Sequence, residues 1–298
     1  ILLDERRRVM MADVGVHDVE AFIAYQRGVD LFYRAHNEGA MIPLLARANV
    51  EFDAAITRKP DFASAYFHRA DYFAHLLIDE APGHGPQFAS ASGVGLDEAE
   101  RRLLADLDAA YRYERAADQR LVIQVLRTTV SSHWKNLNEQ ITRAFAAWNT
   151  CRHGLWIDQT AITFGHGEAA LAHELSRERC DPLSTNWTRL AITAVWLGRP
   201  AEGLEYAARI EALRGQDRDV MHARILAFLA LGRPEEAEAL FAAGDFGAAD
   251  VSGAMSLLAI LIPAAAGRAE EWQRLRPSLE GDPGRLLVAA AVFGDRAT

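Results

Sequence analysis

Cysteine and lysine are both scarce in this chain of 298 residues. The two cysteines, Cys151 and Cys180, are too few for a disulfide framework or a cysteine-rich zinc site. Lys59 and Lys135 are the only lysines, and neither lies in a motif for phosphate binding or Schiff-base chemistry. These two scarcities exclude a disulfide-stapled domain and two common kinds of lysine-dependent enzyme.

Long apolar runs and a positive net charge are also missing. The longest apolar run, residues 254–267, is shorter than the ~20 residues that a membrane-spanning helix needs, and Pro263 interrupts it. The formal net charge of −9 opposes binding to nucleic acid and to anionic lipid, because both are negatively charged. We therefore expect no nucleic-acid partner and no membrane insertion by this segment.

The chain starts ILLDERRRVMMADV, without an initiator methionine and with only three apolar residues before the charged run. A signal peptide needs a longer apolar stretch. We expect residues 1–18 to be a leader or linker within a longer protein, which leaves a cytoplasmic and a periplasmic location both open.

Common enzyme motifs are absent as well. G-x-x-x-x-G-K, G-x-G-x-x-G, G-x-S-x-G and H-E-x-x-H do not occur. We predict that the chain is not an enzyme, that it uses no cofactor, and that it has no catalytic residues and no metal site.

A repeated phrase dominates the C-terminal part of the chain: WLGRPAEGLEYA at 196–207 is echoed by ALGRPEEAEALF at 230–241. Glycine often follows the last residue of a helix because it adopts positive φ easily, and proline suits the first position of the next helix. Three glycines, each between two apolar helical segments, are spaced by 34 and 35 residues: Gly198, Gly232 and Gly267. This pattern predicts an all-α protein of recurring antiparallel helix pairs.

The period and the residue types resemble the tetratricopeptide repeat (TPR). Positions matching the large, small and aromatic residues of that motif are Trp187, Leu190, Ala191, Ala237, Phe241, Ala48, Phe52, Ala55, Pro60, Tyr66 and Ala70. The resemblance implies a right-handed superhelix of stacked pairs whose first helices line a concave groove. We expect helix pairs over 19–117 with an inserted loop at 79–95, and further repeats with a capping helix over 118–298.

The resemblance also implies a function, namely a non-enzymatic interaction, scaffold or sensory module that holds a partner peptide or protein in the groove. Its groove-facing positions fall on Phe22, Tyr25, Phe32, Tyr33, Phe67, Asp71, His75, Trp196 and His222. Each of these residues is also a candidate for the core between helix pairs. A second copy of the chain is another candidate partner, through residues 285–298.

A narrower resemblance concerns the N-terminal repeats. DVEAFIAYQRG (18–28) and FDAAITRKPDFASAYFHRAD (52–71) are similar to the repeat region of bacterial transmembrane winged-helix regulators and cyclases. That resemblance implies a sensory or assembly domain of a larger signalling protein.

Two alternatives stay open: a regulatory domain that senses a small molecule, and an enzyme on a helical-repeat scaffold. The enzyme would use a polar helix face whose members are spaced by 3, 7 and 11 residues: His68, Asp71, His75 and Asp79. The same spacing favours a simple ladder of His–Asp contacts on a solvated face. We favour the ladder, because helical metal ligands usually need a third element and none is identifiable from the sequence.

Overall fold

The structure is a computed structural model that describes residues 17–37, 41–79, 93–131, 134–148, 154–177, 187–215, 218–244 and 254–279. Within these ranges every regular element is an α-helix and no strand occurs, which confirms the all-α prediction. The chain divides into two compact units, residues 1–80 with 86–164 and residues 81–85 with 165–298.

The described helices of the first unit pack mainly against their neighbours in the chain. They are α1 (Val19–Asn37), α2 (Met41–Arg58), α3 (Ala63–Asp79), α4 (Leu96–Tyr113), α5 (Ala117–Val130), α6 (Leu137–Ala147) and α7 (Ile157–Thr163). α1 packs against α2 across a short connection, and α3 packs against α4 with Tyr66 beside Tyr113 and Phe73 beside Arg102, so each couple forms an antiparallel pair. The first helices of the two pairs, α1 and α3, also touch.

The α1–α2 pair is held by a close approach at Gly28. A Cβ atom on this glycine would lie 2.5 Å from the ring of Phe52, so the absence of a side chain lets the ring pack against the α1 backbone. Ala48, Phe52 and Ala55 are fully buried along the same face of α2. The small and large residues that resemble the repeat motif therefore shape this interface.

A buried ion pair joins α3 to α4. The guanidinium of Arg69 donates to both carboxylate oxygens of Asp106, with 2.9 Å between Nε and Oδ2, and it also pairs with Asp53 of α2. Asp106 is only 3% exposed, so the arginine neutralises a carboxylate that water barely reaches.

The helices of the second unit have 10 to 15 residues. They are α8 (Gly167–Arg177), α9 (Trp187–Trp196), α10 (Pro200–Arg214), α11 (Arg218–Ala230), α12 (Pro234–Ala243), α13 (Ala254–Ala265) and α14 (Glu270–Leu279). α9 packs against α10 and α11 against α12, while α9, α11 and α13 follow one another in contact. The unit therefore repeats one arrangement, a first helix beside the next first helix with a second helix packed alongside.

The three repeated glycines end the first helices as the sequence predicts. Each has positive φ, with values of 77°, 70° and 71° for Gly198, Gly232 and Gly267. At each turn the glycine N–H donates to the carbonyl three residues earlier, and the next N–H donates to the carbonyl five residues earlier, at 2.8–3.1 Å. This is the Schellman motif, which satisfies the last carbonyls of the helix.

The arginine after each glycine adds a second recurring contact. It pairs with a glutamate three residues later, in Arg199–Glu202, Arg233–Glu236 and Arg268–Glu271. Two of these arginines also reach back to a preceding helix, in Arg199–Glu168 at 2.7 Å and Arg268–Glu238 at 2.9 Å. At each turn the glycine thus ends a helix, and in two of the turns the arginine also joins neighbouring helix pairs.

The domain boundary expected at 117/118 stays a prediction. α4 and α5, which begins at Ala117, pack together, with Arg127 pairing with Asp108 and stacking 5.0 Å from the centre of the Tyr111 ring. The two compact units divide at Phe164/Gly165.

No helix in the described part of the chain combines the length and the apolar character needed to cross a membrane. Several predictions fall outside the described residues: the leader up to residue 16, both cysteines, residues 80–92 of the inserted loop, and the segment 285–298.

Candidate functional site

The aromatic residues predicted to line a groove in the first unit are mostly interior. Phe22, Tyr25, Phe32 and Phe67 are each at most 5% exposed, whereas Tyr33 is 44% exposed. Of these five side chains, only Tyr33 is on the surface. Whether the predicted set contacts a partner stays a prediction, and the buried four are core residues in this structure.

The buried aromatics form one cluster between α1, α2 and α3. The Tyr25 ring centre lies 4.7 Å from that of Phe62 and 5.9 Å from that of Phe52. Burial raises the pKa of Tyr25 above its ordinary value, because the phenolate would be poorly solvated there. Aromatic side chains at helical spacing thus fill the space between helices.

A polar cluster lies at the end of this aromatic core. His36 near the end of α1 faces Asp71 and His75 of α3, with 3.2 Å between His36 Nε2 and Asp71 Oδ2. His75 Nε2 lies 3.5 Å from the same oxygen. Asp71 is 4% exposed, so two imidazoles converge on one buried carboxylate oxygen.

His68 does not join this cluster, although the sequence places it on the same helix face. Its Nδ1 donates to the Ser64 carbonyl at 2.8 Å, and its ring packs edge-on against Phe32 at 5.1 Å between centres. Burial lowers the pKa of His68, which keeps the ring neutral, while the hydrogen bond to Ser64 opposes that shift. The side chain of Asp79 lies outside the described part of the structure.

The sequence reasoning missed His36, the third element it had required. A usable signal existed. First helices of stacked pairs run parallel, so residues near the ends of α1 and α3 come together. His36 and His75 both lie within four residues of the C-terminal ends of their helices.

In the second unit, equivalent positions of successive first helices are left partly exposed. These positions are 34 and 35 residues apart, as the glycines are, and they are Thr188, Ile192 and Trp196 on α9, His222, Leu226 and Ala230 on α11, and Leu257, Leu261 and Ala265 on α13. Trp196 is the most exposed large side chain among them, at 62%. We call these nine residues the first-helix face.

The neighbouring positions on the same helices behave differently. Ala191, Ile225 and Ile260, which have the same spacing, are buried at 0–2% exposure. The period therefore separates a core stripe from the first-helix face, and seven of the nine face residues are apolar. Trp196 and His222 are the two predicted groove residues that belong to it.

A cavity of about 330 Å³ opens in the first unit between α2, α3 and α4. Its lining residues are Asn49, Asp53, Arg69, Tyr72, Phe73, Arg102, Ala105 and Asp106. Asn49 donates to the Arg69 carbonyl at 3.2 Å, but its buried Oδ1 accepts no hydrogen bond from the described residues.

Comparison with known proteins does not assign the chain to a family. No protein-family model matches the chain, and no curated protein matches it.

Proposed function

We propose that the chain is a non-enzymatic interaction module whose second unit binds a segment of a partner protein on the first-helix face. The observation that supports the proposal is the recurrence of this face on α9, α11 and α13 at the period of the repeat. A mostly apolar strip kept partly exposed on three successive helices suits the apolar side of a partner helix or an extended peptide. The TPR resemblance, with its right-handed superhelix, is part of the same proposal.

Trp196 is the expected anchor of this interaction. Tryptophan is enriched among residues that dominate binding energy, and this one is 62% exposed beside apolar neighbours. A single exposed apolar side chain does not by itself indicate a binding site. Trp196 differs because it belongs to the mostly apolar first-helix face.

The experiment selects peptides of 15 residues from a random phage library on the purified chain and measures their affinity by fluorescence anisotropy. Trp196→Ala is expected to weaken the selected peptides roughly 30-fold, which corresponds to about 2 kcal/mol. Leu213→Ala is the matched control, because Leu213 is also 62% exposed but lies on the second helix α10. The proposal is contradicted if no peptide binds, or if the control weakens binding as much as Trp196→Ala.

The cavity of the first unit favours a second candidate function, the sensing of a small molecule. Tyr72 and Phe73 offer apolar surface, and Asp53, Arg69 and Asp106 offer polar groups, so the cavity suits a compact ligand with apolar and polar parts. A thermal-shift screen of metabolites tests this, with Ala105→Trp as the variant that fills the cavity. Compounds that stabilise the parent chain but not the variant would support sensing, whereas an empty screen, or compounds that stabilise both proteins equally, would count against it.

A further inference from the structure

The His36–Asp71–His75 cluster has the composition of a metal site rather than of a simple ion pair. Its three candidate ligand atoms, two imidazole Nε2 atoms and one carboxylate oxygen, all lie within 4.8 Å of one another. The ring centres of the two histidines are 5.4 Å apart. Two nitrogen ligands with one oxygen ligand suit divalent ions of the first transition series, such as zinc.

The hydrogen bond on the far side of His36 decides which nitrogen faces the carboxylate. Nδ1 lies 2.8 Å from the Phe32 carbonyl oxygen, which can only accept, so Nδ1 carries the hydrogen. In the neutral imidazole, Nε2 then points a lone pair at Asp71 Oδ2, which is also rich in electrons. Two such atoms 3.2 Å apart repel each other unless Nε2 is protonated or a metal cation lies between them.

The same hydrogen bond is a feature of metal sites in general. A histidine that binds a metal usually donates its other N–H to a carbonyl or carboxylate, which fixes the ring and its tautomer. The ring of Phe32 also packs at 4.5 Å from that of His36, so an apolar wall supports the ligand. The orientation of His36 is therefore set by α1 itself.

The two distances from the histidine nitrogens to the Asp71 oxygen agree with tetrahedral coordination. Ligands about 2.0–2.1 Å from a zinc ion lie about 3.3–3.4 Å from one another in a tetrahedron. The two nitrogen–oxygen separations, 3.2 and 3.5 Å, bracket that value. The side chains of His36 and His75 are 32% and 19% exposed, so an ion can reach them from solvent while the Asp71 side chain, 6% exposed, forms the floor.

We propose that His36, Asp71 and His75 bind one divalent transition-metal ion, with a fourth coordination position open to solvent or to a ligand. The ion makes three attractive contacts with these side chains and ties the end of α1 to α3. Three protein ligands with an open position distinguish this site from a closed structural zinc site.

The test uses the purified full chain, stripped with a chelator and titrated with Zn²⁺ in competition with a chromophoric chelator. The parent chain is expected to bind one equivalent of Zn²⁺. His36→Gln and His75→Gln should each lower the Zn²⁺ affinity by at least about tenfold. His17→Gln is the matched control, since His17 is an exposed histidine just before α1, and it should bind as the parent does. Circular dichroism checks that the variants fold.

A second measurement keeps the test sharp. Co²⁺ in place of Zn²⁺ should give the intense visible absorption of a four-coordinate ion in the parent and in His17→Gln, and lose it in both cluster variants. Asp71→Asn should weaken binding too, and its folding is checked because Asp71 is buried. Equal Zn²⁺ binding by His36→Gln, His75→Gln and the parent would overturn the proposal, as would the absence of any stoichiometric binding.

Discussion

In the first unit, contacts between helices depend on side chains that occur once: the Phe52 ring against Gly28, Arg69 against Asp106, and two histidines against Asp71. In the second unit the helices pack through apolar clusters, and one turn is used three times, with the same glycine conformation and the same arginine–glutamate pair. The helices also differ in length, 17–19 residues for α1, α2 and α3 against 10–15 for α9 to α14. The first unit thus adds individual buried polar contacts to its apolar core and the second adds a repeated local turn, and the polar contacts of the first bring His36, Asp71 and His75 together.

The comparison predicts that the largest single loss of stability comes from breaking the buried ion pair between Arg69 and Asp106 in the first unit. Arg69→Met should lower the free energy of unfolding by about 3–5 kcal/mol, because it leaves Asp106 buried without its cation. Hydrogen exchange followed by mass spectrometry should show the loss in α3 and α4. Arg101→Ala is the control, since Arg101 is exposed and its pair with Glu98 should contribute less than about 1 kcal/mol.

The same variant has a pH dependence of defined sign. Burial raises the pKa of Asp106 and the hydrogen bonds from Arg69 oppose that shift, so removing the arginine raises the pKa further. A carboxyl whose pKa is higher in the folded state takes up protons on folding, and the folded state gains stability as pH falls. The loss in free energy of unfolding caused by Arg69→Met should therefore be smaller at pH 5 than at pH 8. A loss that grows on acidification would contradict this account.

The second-largest effect is expected at the close approach of α1 and α2. Gly28→Ala places a Cβ atom 2.5 Å from the buried Phe52 ring, and we expect a loss of about 1–3 kcal/mol despite the better helix propensity of alanine. Urea unfolding of the variant measures it. Adding Phe52→Leu should restore part of the stability. A gain in stability from Gly28→Ala alone would mean that the two helices separate at little cost.

The repeated turn should give three equal, smaller effects. Gly198→Ala, Gly232→Ala and Gly267→Ala should each cost about 1 kcal/mol, because each forces a Cβ atom into positive φ where no neighbouring atom interferes. Gly244→Ala is the control, since its φ of −75° suits alanine. Unequal costs among the three would show that the turns differ energetically although their hydrogen bonds match.

The smallest effect concerns alkaline pH. Burial and the hydrogen bond to Glu202 raise the pKa of Tyr206 to about 12, so the folded state keeps the phenolic proton after the unfolded state has lost it. Stability from this group is present below about pH 10 and is lost as pH rises from about 10 to 12. Tyr206→Phe should show a shallower decline of stability in that interval, by urea unfolding at fixed pH values.

The sequence predicted the helix pairs and the ends of the first helices correctly, because these depend on local features. A glycine that adopts positive φ and a proline at the next helix start act within a few residues. The lengths of the first two helices, 19 and 18 residues, come from the structure and are not predicted by the 34-residue period.

The candidate sites were less accessible to sequence reasoning. Apolar residues at helical spacing look alike whether they lie in the core or on a partly exposed face, so Phe22 and Trp196 carried the same prediction although one is buried and the other is not. His36 lies 35 residues from Asp71 along the chain, and no local pattern connects them.

The amino-acid sequence by itself determined the element type, the period and the conformation of the repeated turns, since each follows from propensity and from hydrogen bonds over three to five residues. The tertiary structure alone decided which aromatic residues are interior, which arginine neutralises Asp106, and which histidine completes the Asp71 cluster. The physical reason is that burial and the meeting of polar atoms depend on which helix faces touch, and that is settled only when the helices pack.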